Sequence, residues 1–121
     1  MRVYWDFKVM ATSESEATAV LDSIAQLLDI APQKVKVRDY PKFTDMYECV
    51  FHTRHRRHDG FQFLRELVDN LGGKASIDET ILTRDGEDQS VFETIIDVRN
   101  GPLALPNIHW VLVTSEMSVS T

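Results

Sequence analysis

The fold is indicated first by the stretch Val3-Tyr4-Trp5-Asp6-Phe7-Lys8-Val9, in which every second side chain is large and apolar. This period of two is typical of a β-strand with one face in a core. The polar stretch that follows, Ser13-Glu14-Ser15-Glu16, has the spacing of a helix capping box, and apolar residues then recur at helical spacing as far as Leu28. The sequence therefore predicts a strand and then an amphipathic helix that ends before Pro32.

The same two patterns recur along the rest of the chain. Strands are predicted around residues 35–37 and 46–52, and a second helix is predicted from an Asp59 cap to the glycines at 72 and 73. Two β-rich runs then cover residues 75–83 and 90–98. Between them lies a polar insert, residues 84–88, whose Asp-Gly pair is a hairpin signal. A further turn is predicted at residues 100–102.

The last predicted strand, residues 108–114, is apolar on both faces, which is typical of a strand in the middle of a sheet. Residues 115–121 are expected to form a frayed tail. The complete order predicts one α+β domain over residues 1–121 with a ferredoxin-like βαββαβ antiparallel sheet. Both helices should cover one face, and the hairpin and final strand should extend the sheet.

Composition narrows the class of protein. The chain has 121 residues and a net charge of −6 from 13 basic and 19 acidic residues, which disfavours nucleic-acid binding because phosphate contacts need a basic face. The single cysteine, Cys49, cannot form an internal disulfide. The sequence has no apolar run of the roughly 20 residues that a membrane span needs, and its first residues lack the apolar run of a signal peptide. A cytoplasmic protein without membrane contact is predicted.

Carboxylates are concentrated in the predicted hairpin. Seven acidic residues lie between positions 78 and 97, against one basic residue, Arg84. They lack the ligand spacing of a calcium loop, so two interpretations stay open: a solvated hairpin that protects a sheet edge, or an acidic docking surface for a basic partner. The candidate partner-binding residues are Asp78, Glu79, Asp85, Glu87 and Asp88.

Three histidines and three arginines are clustered between residues 52 and 58. His52, His55 and His58 are candidate metal ligands, but the arginines among them, at positions 54, 56 and 57, would repel a divalent cation. A solvated strand end and loop is the plainer interpretation, and an anion contact is a third. We predict no metal site here.

Enzyme signatures are missing from the sequence. Ser13 and Ser15 have no histidine at motif spacing and no nucleophile elbow, and no glycine loop precedes a helix to hold phosphate. Cys49, Trp5 and Trp110 fall at positions predicted to be core. We therefore predict a chain that is not an enzyme and carries no cofactor.

Two features at the ends of the chain carry a resemblance. The opening strand leads straight into the Ser-Glu-Ser-Glu helix, and the chain closes on Pro106-Asn107-Ile108-His109-Trp110-Val111. In these features it resembles the small acidic immunity proteins that bacteria encode beside polymorphic or contact-dependent inhibition toxins. The resemblance implies a protein that binds a basic cognate toxin domain, often a nuclease, and blocks its substrate site with carboxylates.

A second class stays open beside it. Amino-acid-binding regulatory modules show the same βαββαβ order, and they act as homodimers that hold a small molecule at the interface. The loop between the first strand and helix, Met10-Ala11-Thr12, lacks the glycine that such modules carry. This lack counts against the class, and a homodimeric sensor is kept as the alternative function.

Overall fold

The structure is a computed structural model that describes residues 1–72, 75–100 and 103–118. It contains one six-stranded sheet in which each strand is antiparallel to its neighbours, and two α-helices. The elements in chain order are β1 (Arg2–Met10), α1 (Glu14–Leu28), β2 (Gln33–Asp39), β3 (Met46–Arg54), α2 (Gly60–Leu71), β4 (Asp78–Arg84), β5 (Glu87–Asp97) and β6 (Ile108–Ser118).

The strand order across the sheet is β2-β3-β1-β6-β5-β4. This confirms the α+β class, but the layout differs from the ferredoxin-like arrangement that the sequence predicts. The place beside β1 is taken by β6, the last strand of the chain. The strand that follows α2 is β4, and it lies at the far edge of the sheet, paired only with β5.

The core lies on one face of the sheet, and both helices cover it. Val3, Trp5, Phe7 and Val9 of β1 are buried there, as the alternation predicts. The same cluster contains Ala17, Leu21 and Ile24 of α1 and Leu64, Leu67, Val68 and Leu71 of α2. We call this the helix-covered face and its opposite the open face. Neither helix in the described part of the chain combines the length and apolar character needed to cross a bilayer.

The helix ends follow the sequence signals in part. The Ser13 hydroxyl accepts a hydrogen bond from the Glu16 amide, and Asp29 closes α1 in the left-handed conformation. For α2 the N-terminal cap residue is Asp59, as predicted, but its side chain makes no capping hydrogen bond. Its carboxylate accepts two hydrogen bonds from Arg57 instead. Gly72 closes α2 at φ 84°, while the second glycine of the predicted stop lies outside the described residues.

The hairpin is tighter than predicted. Asp85 (φ 52°) and Gly86 (φ 78°) both adopt the left-handed conformation that a two-residue hairpin turn requires. Residues 84, 87 and 88, expected in a polar insert, therefore belong to paired strands. Residues 115–118, expected to be frayed, extend β6. The predicted turn at 100–102 lies partly outside the described residues, and so do residues 119–121.

The two tryptophans differ in their surroundings. Trp5 is buried in the core, as predicted, and its indole N–H donates to the Thr53 hydroxyl at 2.9 Å. Trp110 is half-buried and lies opposite Lys8 on the open face. Its ring covers the Lys8 ammonium at 4.3 Å, so the prediction that Trp110 belongs to the apolar core is wrong.

Candidate functional site

The candidate partner-binding carboxylates lie on the β4–β5 hairpin at one edge of the sheet. Asp78, Glu79, Asp85, Glu87 and Asp88 are all exposed. Strand alternation divides them, because Glu79 and Asp88 have the register of the helix-covered face and Asp78 and Glu87 that of the open face. Asp85 lies in the turn. The hairpin thus gathers all five acids on one ribbon without forming a single flat patch.

The two carboxylates on the helix-covered side are oriented by hydroxyl groups of the opposite strand. Ser90 donates to Glu79 at 3.2 Å, and Thr83 donates to Asp88 at 2.7 Å. A hydroxyl is a neutral donor, so these contacts position the carboxylates and leave their negative charge in place. This side of the ribbon therefore presents fixed negative charge to solvent.

An apolar groove of about 440 Å³ lies beside these carboxylates, between the ribbon and the first turn of α2. Its walls include Phe61, Ile81, Phe92 and Met117, and Glu79 lines it too. The Phe61 and Phe92 rings meet edge to face at 6.0 Å. Phe61 and Ile81 nevertheless stay 46% and 53% exposed. Two large apolar side chains left in water beside one groove are typical of an interaction site.

Gly60 allows α2 to start directly against the sheet. A methyl group at this position would lie 2.8 Å from Ser115 Oγ and 2.9 Å from Phe92 Cδ2, so only glycine fits without a shift. The Gly60 amide also donates to the Met117 sulfur at 3.2 Å. This close approach brings the start of α2, including Phe61, beside β5 and β6.

Arg57 does not neutralise the ribbon, because its guanidinium is already paired with two carboxylates, one just before α2 and one within it. It pairs with Asp59 at 2.6 Å and with Glu66 at 2.6 Å. These hydrogen bonds hold the pKa of both carboxyls below their usual range and raise the pKa of Arg57. The neighbouring Arg54 and Arg56 form no ion pair with any carboxylate among the described residues.

The histidines of the same segment point to different parts of the protein. His52 lies opposite Tyr4 on the open face. The His55 ring contacts Thr53 Oγ1 at 2.7 Å and packs on Phe63 with ring centroids 4.7 Å apart. Among the described residues, no group of three or more His, Cys, Asp or Glu side chains is placed to hold a metal ion.

Sequence reasoning missed the apolar half of this site. Phe61 has the same helical spacing as the buried Leu64 and Val68 of α2, yet it is half exposed at the start of the helix. Ile81 faces the same groove from β4. The available signal was Ile81 itself, a large apolar residue only two positions from Glu79 and therefore on the same face of the edge strand.

Comparison with known proteins adds no relative. A scan against protein-family models and searches of curated proteins and of solved structures give no significant match to this chain.

Proposed function

We propose that this chain is an immunity-type protein that binds a basic toxin domain, such as a nuclease, and blocks its substrate site. The observation that carries the proposal is the exposed apolar groove beside the carboxylates of the β4–β5 ribbon. The contact surface consists of Glu79, Asp88, Phe61 and Ile81. The other three candidate carboxylates, Asp78, Asp85 and Glu87, contribute to steering.

Charge supports a positive partner. The whole chain carries −6, and a net charge of one sign accelerates encounter with a partner of the other sign. Asp78 and Glu87 face the opposite side of the ribbon from Glu79 and Asp88, but the thickness of one sheet layer, roughly 10 Å, is comparable to the Debye length of about 8 Å at physiological salt. All five carboxylates therefore act on an approaching partner, although only Glu79 among them borders the groove.

The groove supplies the apolar anchors that charge alone cannot provide. Most interface energy comes from a few buried anchors, while rim charges mainly set association rate and orientation. Phe61 and Ile81 are large enough to act as anchors, and both are already exposed in the free protein. A partner that covers them removes apolar surface from water at roughly 25 cal/mol per Å².

The chemistry of a nuclease site explains how such binding would inhibit. A site that holds phosphates is lined with positive charge, so carboxylates placed on it replace the phosphates. The hydroxyl-oriented pair Glu79 and Asp88 would occupy that position, with the apolar anchors beside them. Inhibition then needs no reaction, only a stable one-to-one complex.

The test uses the protein encoded by the neighbouring gene as the candidate toxin. Binding is followed by stopped flow at about 50 mM and about 200 mM NaCl, where steered association should slow markedly as salt rises. Charge reversal of Glu79 and Asp88 to lysine should slow association several-fold at low salt and should abolish growth protection. The open-side pair Asp78→Lys and Glu87→Lys is the matched control and should reduce the rate while retaining the complex.

A second pair of variants tests the anchor. Phe61→Ala should weaken binding by about 30-fold, mainly through faster dissociation, as expected for a hot-spot residue. Phe43→Ala is its control, because Phe43 is equally exposed, at 47% against 46%, and does not line the groove. The proposal is refuted if the neighbouring product does not bind, or if Phe61→Ala and Phe43→Ala have the same effect.

A further inference from the structure

A second groove, of about 780 Å³, lies where the start of β1 meets the end of β3 and the last described residues of β6. Its character is basic, in a protein that is acidic overall. Three arginines line it, Arg2, Arg54 and Arg56, together with His55 and His58. Glu116 is the one carboxylate among its described lining residues. With the amino terminus of Met1, which also lines the groove, four positive charges and one negative charge leave a local charge of about +3, against −6 for the chain.

Two of these arginines are held in an unfavourable arrangement. Arg2 of β1 and Arg54 of β3 are directly opposite each other in the antiparallel ladder, so their side chains leave the sheet on the same face. Like charges in such a pair destabilise a sheet. Their field also reaches His52: burial, then the charges of Lys34, Arg2 and Arg54, lower the pKa of this imidazole. The strand pairing thus places two positive charges side by side, and on the other side of Arg2 the directly opposite residue is Glu116 of β6.

The groove is also partly preorganised. The Arg2 guanidinium donates to the Tyr4 hydroxyl at 3.1 Å, which fixes its position over the open face. Arg54 and Arg56 form no ion pair with a carboxylate among the described residues, so their donors are available to a ligand. Guanidinium groups bind phosphate oxygens bidentately, and the hydrogen bonds are assisted by charge.

The surroundings favour a small ligand over a nucleic acid. Gln89 and Glu116 line the groove on the side of the ribbon. A strand of DNA or RNA leaving the groove in that direction would meet the ribbon carboxylates, such as Glu87. We propose that the groove binds a small oligophosphate, an inorganic or nucleoside di- or triphosphate, between Arg2, Arg54 and Arg56. This inference does not rest on the proposed function, although the two grooves adjoin at His58 and Met117.

The test is isothermal titration calorimetry of the full chain with pyrophosphate, tripolyphosphate and ATP in low salt. We expect saturable one-to-one binding that weakens as salt rises. Arg54→Gln and Arg56→Gln should each weaken pyrophosphate binding by about tenfold, the loss typical of a hydrogen bond between charged groups. Arg38→Gln is the control, because Arg38 lies on the same face but is engaged by Glu48 at 3.3 Å. Tighter binding of ATP than of tripolyphosphate identifies a nucleotide as the ligand, and equal binding identifies the phosphate chain alone.

A stability measurement adds a readout that does not depend on ligand. Without phosphate, Arg54→Gln should raise the melting temperature slightly, because it removes the repulsion from Arg2. Three results would overturn the proposal: no saturable heat with any of the three ligands, equal losses in Arg54→Gln and Arg38→Gln, or tighter binding of a single-stranded oligonucleotide than of pyrophosphate. A lower melting temperature of Arg54→Gln would also overturn it, since Arg54 would then have a structural role.

Discussion

Lys8 is a buried charge on the open face, and replacing it tests how that face is held together. The residue is only 3% exposed. Its ammonium contacts Asp6 Oδ1 at 2.7 Å and Glu48 Oε1 at 3.9 Å. It also lies over the rings of Tyr40 at 4.8 Å and Trp110 at 4.3 Å. Lys8→Met keeps the length of the side chain and removes its charge.

The expected loss follows from these contacts. A hydrogen bond between charged groups contributes about 1.5–3 kcal/mol, and each cation–π contact adds roughly 0.5–1 kcal/mol. Two corrections reduce the sum: methionine is easier to bury than lysine, and the Asp6 side chain remains 27% exposed, so water can solvate it after the change. We expect Lys8→Met to lower the free energy of unfolding by about 3 kcal/mol. With an m-value of about 1.5 kcal/mol per molar urea, the unfolding midpoint moves by about 2 M.

The assay is urea unfolding followed by tryptophan fluorescence, in which Trp110 reports on this site, and by far-UV circular dichroism. A double-mutant cycle with Asp6→Asn isolates the pair, and we expect a coupling energy of about 1–2 kcal/mol. Lys36→Met is the matched control, because Lys36 lies on the same face but is exposed. The reasoning is refuted if Lys8→Met costs less than about 1 kcal/mol or shifts the midpoint no more than Lys36→Met.

Three further predictions concern single residues. Gly60→Ala should destabilise by about 1–2 kcal/mol in urea unfolding, because its methyl group would contact Ser115 Oγ at 2.8 Å. Adding Ser115→Ala should recover part of that loss, and a stabilising Gly60→Ala would contradict the close approach. Burial raises the pKa of the Cys49 thiol to about 11, so at about pH 8 roughly one molecule in a thousand carries the reactive thiolate. Labelling by a disulfide reagent should thus be far slower in the folded protein than in urea, and equal rates would show that Cys49 is accessible. Burial, then the positive charges of the amino terminus and Arg57, lower the pKa of His55 below its ordinary 6.5. Neutral His55 therefore supports stability above that value, and the support is lost as pH falls below it. Between about pH 7.5 and about pH 5.5 the melting temperature of the wild type should fall more than that of His55→Gln, and parallel curves would exclude His55 as a cause.

The class of fold was readable from local patterns because each element carries its own period. The alternation of β1 and the Ser13 cap of α1 depend only on neighbours in sequence, and both are confirmed. Strand order depends on pairings between distant residues, such as Val3 with Ser115. The apolar pattern of residues 108–114 correctly indicated a central strand, but no local period specifies which strand it pairs with, so the predicted ferredoxin-like layout of the sheet was wrong.

The candidate site was predictable only in its charge. The carboxylates are visible as a run in sequence, but the groove depends on Phe61 and Ile81, which are 20 residues apart and meet only when α2 lies against the ribbon. The burial of Lys8 could not be predicted from the sequence for the same reason. Its position in β1 indicates a solvated face, and only the approach of Tyr40 and Trp110 removes it from water.

The basic and the acidic stretches are separate in the sequence, and in the folded protein they form neighbouring surfaces of opposite charge. The basic groove and the apolar groove share His58 and Met117, so positive and negative potential meet at that boundary. The proposed basic partner would be attracted by the ribbon and repelled by Arg2, Arg54 and Arg56, and this opposition would restrict its orientation as well as its rate of approach. The ribbon carboxylates should therefore govern how fast a partner arrives. The arginines should govern which way it faces, because a basic surface turned toward them is penalised.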